Sequence, residues 1–311
     1  MQIYLPIAEI SLNLFFLIGM GGAVGFLSGL FGIGGGFLLT PLLIFSGIPA
    51  PVAVASVTGQ VAAASTSGAL SYFRRSGIDF HLALYLSLSG IIGVFGGVAA
   101  FSALRDAGHL DLVISLGYLL FLGMIGLMML LESMRSLLRD FRGKTTKMKL
   151  PGQHNWVHGL PLRIRFKKSK LYVSVFPVLL IGASIGFLGA LLGIGGGFIL
   201  VPALIYILRV PGNVVIGTSL VQVIAIMAAS TILHSVDSQT VDILLAFCLM
   251  VGGVVGAQFG ASVGKYLRGD QLRALLAIIV LSVALRFAYS LFFEPADLFS
   301  TAILSIGELG Q

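Results

Sequence analysis

An all-α polytopic membrane protein made of two inverted repeats, each with a glycine-rich broken helix leading into a half-helix, is the fold the sequence predicts. Three observations predict it. Hydrophobic residues make up 57% of the 311-residue chain and glycine adds 41 positions, whereas charged residues reach only 10%, against roughly 25% in soluble domains. Apolar blocks long enough for helices recur along the whole length. A glycine-rich segment occurs twice, at equivalent places in two halves. So few charges cannot cover a water-soluble fold, which excludes a soluble enzyme, a secreted disulfide scaffold and a disordered chain.

The apolar blocks fall at about 12–31, 37–47, 52–73, 81–104, 110–131, 172–192, 198–208, 212–235, 243–266 and 271–293. Eight approach or exceed the roughly 20 residues of a spanning helix. The blocks 37–47 and 198–208 would reach only about 16 Å as helices, half the hydrocarbon thickness. Each follows a glycine cluster, Gly32-Ile-Gly-Gly-Gly36 or Gly193-Ile-Gly-Gly-Gly197. No Lys or Arg precedes the first apolar run, which is wrong for a cleaved signal peptide, so that run is expected to stay in the mature chain. The single Cys248 permits no disulfide within the chain.

The clusters belong to a duplication. GFLSGLFGIGGGFLLTPLLI (25–44) and GFLGALLGIGGGFILVPALI (186–205) agree at fourteen of twenty positions. The correspondence continues through Ser56-x-x-x-Gln60 and Thr218-x-x-x-Gln222, and through Gly90, Gly93 and Gly97 against Gly253, Gly256 and Gly260. Residues 1–131 therefore form a first membrane repeat, 132–171 a basic cytoplasmic loop and 172–311 a second repeat. Eleven of nineteen basic residues lie between Arg135 and Lys170; that is the mark of a cytoplasmic loop and argues against a nucleic-acid partner.

Positive charge also sets the relation of the halves. If each short block merely continues the preceding helix, Arg105, Arg209, Lys265, Arg268 and Arg273 fall outside. If each returns across the bilayer, every half has an odd number of crossings, the second half is inverted, and only Arg105 remains outside. An extended five-residue glycine stretch covers about 16 Å, which completes the crossing begun by the half-helix. Both acidic termini then face outward.

Irregular backbone at membrane depth needs protein or water around it. Here it ends at two half-helix N-termini, near Phe37 and Phe198, whose N–H groups and positive dipole ends point to mid-membrane from opposite sides. Gly34, Gly35 and Gly36, with Gly195, Gly196 and Gly197, are thus expected to let a small anion approach the backbone closely; tight helix packing is the competing reading. Gln60 and Gln222 sit in otherwise apolar helices, with Ser56 and Thr218 one turn earlier on the same face. Amides and hydroxyls donate hydrogen bonds to an anion without burying a permanent charge, although such groups also link helices together.

Arg286 lies about 12 Å of helix from the end of its block, placed either to reach the interface or to draw anions into an outer vestibule. Asp79 and Asp242 look like equivalent helix N-caps. His154 and His158 lack a third ligand, so no metal is expected. No HExxH, Ser/His/Asp set or carboxylate pair lies within the spans, so neither enzymatic chemistry nor a cofactor is expected.

At the duplicated GFLxGLxGIGGGFxLxP pattern the sequence resembles the sulfite exporter TauE/SafE family, also called toluene sulfonate uptake permeases. The resemblance rests on Gly25, Gly29, Gly32, Gly34, Gly35, Gly36 and Pro41, answered by Gly186, Gly193, Gly195, Gly196, Gly197 and Pro202. Ala190 replaces the glycine equivalent to Gly29. The resemblance implies a multi-pass permease of a prokaryotic inner membrane for small sulfur-containing anions, often sulfite or sulfoacetate leaving the cell. Its partners would be a sulfur oxyanion or sulfonate and the lipid bilayer, with a homodimer left open. An anion channel using the same glycine-lined site is the alternative. A membrane subunit anchoring other proteins through its basic loop is a third.

Overall fold

The computed structural model describes residues 2–31, 34–73, 77–141, 163–166, 169, 171–208, 210, 212–263 and 269–293. Its first half comprises β1 (Gln2–Leu5), β2 (Ile10–Asn13), α1 (Leu14–Phe31), α2 (Gly36–Phe45), α3 (Ala50–Phe73), α4 (Phe80–Asp106) and α5 (Leu110–Phe141). The second repeats this order with β3 (Arg163–Phe166), β4 (Leu171–Ser174), α6 (Val175–Leu192), α7 (Gly197–Tyr206), α8 (Gly212–Leu233), α9 (Ile243–Val263) and α10 (Gly269–Phe293). A π-helical turn, His234–Ser238, extends α8.

Each apolar block is a helix, and the two short blocks form ten-residue helices. Among the described residues, seven helices are long and apolar enough to cross a membrane: α1, α4, α5 as far as Leu131, α6, α8, α9 and α10. The 24-residue α3 is rich in Ser, Thr, Ala and Gly and lies mostly buried, the surroundings a polar helix needs within a bilayer.

Two antiparallel hairpins add to the expected helices. Gln2 pairs with Asn13 in one, and Arg163 with Ser174 in the other. Each leads straight into the first helix of a half, at the sequence spacing that separates Gly36 from Gly197. The second hairpin lies within or beside the segment expected as basic loop, which α5 also enters.

Glycine fixes how the helices meet. Along the α1–α9 seam, a Cβ at Gly21 would lie 2.6 Å from the Leu249 carbonyl oxygen, and those at Gly25 and Gly29 would run into the carbonyls of Gly253 and Ala257. Partner numbers rise together, so α1 and α9 are parallel. The equivalent seam joins α4 to α6, where Gly93 meets Ala183 and Gly97 meets Phe187; these helices are parallel too. In contrast, Thr58 and Thr231 share a hydroxyl hydrogen bond while Gly68 faces Leu220, which makes α3 and α8 antiparallel. Tyr118 stacks on Phe287 and Gly126 packs on Leu281, which makes α5 and α10 antiparallel. Such close approach of small residues supplies the van der Waals contact that holds helices together in lipid.

Gly93→Val and Gly256→Val should each destabilise the protein by about 3 kcal/mol or more, because the added side chain meets backbone that cannot yield. Gly19→Ala and Gly123→Ala have open space at the Cβ and should leave stability unchanged or raised by up to about 1 kcal/mol. Thermal unfolding in detergent separates the two pairs.

Candidate functional site

The two half-helices begin against one another. After α1, Gly34 turns the chain with φ +74°, and α2 starts behind Gly35 with no side-chain cap. After α6, Gly193 closes the helix with φ +66°, then Gly195 and Gly196 hold φ +80° and +70° before α7 starts. A Cβ at Gly36 would lie 2.5 Å from the Gly193 carbonyl oxygen, and Thr40 donates its hydroxyl to that same oxygen at 3.3 Å. The Phe37 and Phe198 rings stack with centroids 4.5 Å apart and planes 11° from parallel. The N–H groups of Leu38 and Leu39 turn back to the Gly35 carbonyl, and those of Ile199 and Leu200 to the Gly196 carbonyl. Helix geometry leaves Gly36, Phe37 and Phe198 without intrahelical acceptors, at the positive end of each short helix.

Gln60 and Gln222 flank this centre from α3 and α8. Both are fully buried. A Cβ at Gly253 would collide with the Gln60 amide nitrogen, and one at Gly90 would lie 3.3 Å from that of Gln222. Glycine at these two equivalent positions therefore makes room for the amides. None of the four amide N and O atoms has a hydrogen-bond partner among the described residues, nor does the Ser65 hydroxyl. The Ser65 oxygen lies 3.7 Å from the Cβ position of Gly34. An unpaired buried polar group costs about 1–3 kcal/mol, so a pair of such amides invites a ligand or water. Whichever way each amide is turned, it offers one carbonyl and one NH2 group.

Ser56 and Thr218 each bond to a helix start of the other half. The Ser56 hydroxyl accepts the Asp242 N–H at 2.9 Å, and the Thr218 hydroxyl accepts the Asp79 N–H at 3.1 Å. They fix the amide-bearing helices to the starts of α9 and α4. Both aspartates do cap those helices, accepting from Leu245 and Leu82. The sequence marked the caps but not their partners.

An open cavity of about 490 Å³ runs beside α3, within the usual size of small-molecule pockets. Its lining includes Ala63, Ser67 and Leu70, at helical spacing from Gln60 on one face, together with Val254 next to Gly253, and Gln258.

Arg286 places its guanidinium 5.5 Å from the Phe45 ring centre and 5.6 Å from that of Tyr289, a cation–π arrangement. His234, unassigned by the sequence, is buried with Nε2 3.0 Å from the Ala190 carbonyl and its ring against Phe101. No three potential metal ligands come together among the described residues; His154 and His158 lie outside them.

The family described as "Sulfite exporter TauE/SafE" matches residues 17–287. A "Probable membrane transporter protein" of Xylella fastidiosa (strain 9a5c) is 32% identical over 277 residues, covering 88% of this chain and 94% of the relative. The "Probable membrane transporter protein YjnA" of Bacillus subtilis (strain 168) is 29% identical over 273 residues, covering 87% and 98% respectively. The chain is similar to both along nearly their whole length. No solved structure matches.

Replacing Gln60 or Gln222 by Leu removes a buried amide that has no hydrogen-bond partner among the described residues. Each variant should be as stable as the parent, or more so. Its apparent KM in transport should rise by about two- to tenfold, the loss of one hydrogen bond to the substrate. Melting temperature and flux measured on the same preparations check both effects. Gly196→Val, at φ +70° and 2.7 Å from an Ile185 methyl, should abolish flux.

Proposed function

Because the chain belongs to the sulfite exporter TauE/SafE family, we propose that it carries small sulfur-containing anions, sulfite or organosulfonates, outward across a prokaryotic inner membrane. The observation that carries this reading is the meeting of two half-helix starts beside two buried amides with unpartnered polar atoms. The half-helices contribute N–H groups and about half a positive charge each. Gln60 and Gln222 add neutral donors. With no permanent cation at the centre, the anion is attracted without being trapped, and Gly34, Gly35, Gly195 and Gly196 keep the approach free of side chains. Ser56 and Thr218 hold the amide-bearing helices in place.

Helix direction supports an inverted repeat. The equivalent helices α3 and α8 run antiparallel, as do α5 and α10. Since α9 is the counterpart of α4, the parallel packing of α1 on α9 makes α1 and α4 opposed. The short connection between α3 and α4 then gives α1 and α3 one direction, with α2 and its glycine run as the return. This agrees with the charge distribution that puts Arg209 and Arg268 on the basic-loop side. The buried Phe37–Phe198 stack at the meeting point favours a carrier over an open channel.

Asp79, Asp106, Asp111, Asp237 and Asp242 all lie at helix ends. A proton-coupled carrier usually keeps an ionisable group in the membrane core. A negative cell interior drives an anion outward by about 2.3 kcal/mol per charge per 100 mV, so export needs no coupling ion.

Proteoliposomes containing the purified chain should show saturable flux of preloaded sulfite or a small sulfonate, and an imposed potential should change that flux without a pH gradient. Unitary current steps would instead establish the channel; flux driven by a proton gradient and blind to voltage would overturn passive export. Cysteines placed at Pro211 and Gly269, in a Cys248→Ser background, should resist impermeant thiol reagents applied to intact cells. Labelling of both from outside would contradict the inverted arrangement.

A further inference from the structure

Each hairpin reaches across to the other half of the molecule. In the link between β1 and β2, the Ile7 N–H donates to Asp242 Oδ2 at 3.1 Å. In the link between β3 and β4, Ser169 donates both its N–H, at 2.9 Å, and its hydroxyl, at 2.7 Å, to Asp79 Oδ2. The second oxygen of each carboxylate caps its own helix, accepting from Leu245 at 3.0 Å or from Leu82 at 3.3 Å. The N–H of each aspartate goes to Ser56 or Thr218, one helical turn before Gln60 or Gln222. Each buried aspartate therefore joins a hairpin, a helix start and an amide-bearing helix. The antiparallel packing of α3 and α8 sets these two junctions at opposite ends of the central helix pair.

We propose that the hairpin–aspartate contacts are a pair of latches that hold the two ends of the transport path shut in turn. The proposal rests on the inverted-repeat carrier reading. The cap bonds are local to one helix and persist through a rigid-body motion. The Ile7–Asp242 and Ser169–Asp79 bonds join a hairpin of one half to a helix start of the other and part when that hairpin moves off the helix, whereas the Ser56–Asp242 and Thr218–Asp79 bonds stay with the packed helices. The cavity along α3 extends from Ile78 and Phe80, which flank Asp79, to Ala63 and Ser67 on the face of Gln60; the loop-side latch thus borders the space an anion would cross. The latches are unequal. Ala8 stands where the second hairpin has Ser169, so among the described residues the loop-side latch holds two hydrogen bonds to its hairpin, one of them from the hydroxyl, and the other holds one. At rest the loop side is the more firmly closed.

Thiol labelling tests this without any substrate, so its outcome is separate from the anion assignment. In a Cys248→Ser background, the equivalent substitutions Ser67→Cys and Ala229→Cys report the loop-side and far-side halves of the path in sealed vesicles of either orientation. Asp79→Ala should speed labelling of Ser67→Cys from the loop side about tenfold, the equivalent of one hydrogen bond to a charged acceptor, and slow that of Ala229→Cys from the far side. Asp242→Ala should do the reverse. Ser169→Ala leaves the helix cap in place and should act in the direction of Asp79→Ala. Ala8→Ser adds the missing hydroxyl and should act against Asp242→Ala, slowing Ala229→Cys. A merely structural role predicts that both aspartate variants move both reporters the same way, and that result overturns the latches. If the aspartate variants do not fold, Ser169→Ala and Ala8→Ser decide alone: unchanged labelling in both rejects the proposal.

Discussion

Inside a bilayer every peptide N–H and C=O must find a partner in the protein, and this chain breaks two of its helices where that demand is hardest to meet. The arrangement of the rest follows from covering those breaks. The glycine runs contact one another through Gly36 and Gly193, with Thr40 satisfying the buried Gly193 carbonyl. α3 and α8 flank the paired breaks, bringing Val61 and Val223 against Gly34. The glycine-lined seams of α1 with α9 and of α4 with α6 press these layers close. A helix that crossed the membrane unbroken would need none of this, and would offer no N-terminal dipole at its centre.

The two halves are bound by exchange. Helices α1 and α6 each pack on a helix of the opposite half, the hydroxyls of Ser56 and Thr218 hold helix starts across the molecule, and each hairpin docks on the other half's aspartate. Each aspartate thus sits between a hairpin and a helix, and the polar amide lies one turn beyond the hydroxyl that accepts the aspartate N–H. Glycine at 90 and 253 leaves space at that amide, so what the packing gives up there is side-chain volume and what it gains is an accessible hydrogen-bonding group.

Most of the helical framework was legible in the sequence because hydrophobic length alone specifies it: all ten blocks are helices, and the half-helices start at Gly36 and Gly197, one residue from the expected Phe37 and Phe198. The amides of Gln60 and Gln222 were legible because they recur in both halves against an apolar background. The hairpins were not. Four-residue strands carry little periodicity, and the alternating Arg163-Ile-Arg-Phe166 was absorbed into a basic run. Nor could Ser56 and Thr218 be paired with Asp242 and Asp79, because those contacts span 186 and 139 residues and depend on how the halves dock. The same is true of Arg286, whose aromatic partners include Phe45 from a distant helix.

On the reading proposed above, the anion rests where the half-helices meet. Selenite, whose selenium scatters anomalously, is a heavy analogue of sulfite, and an experimental structure of the purified chain in its presence locates the ion directly. An anomalous peak is expected between Gly34–Gly36 and Gly195–Gly197, within hydrogen-bonding reach of Gln60 or Gln222. A peak confined to Arg286 or to the basic segment 132–171, with the centre empty, would contradict it.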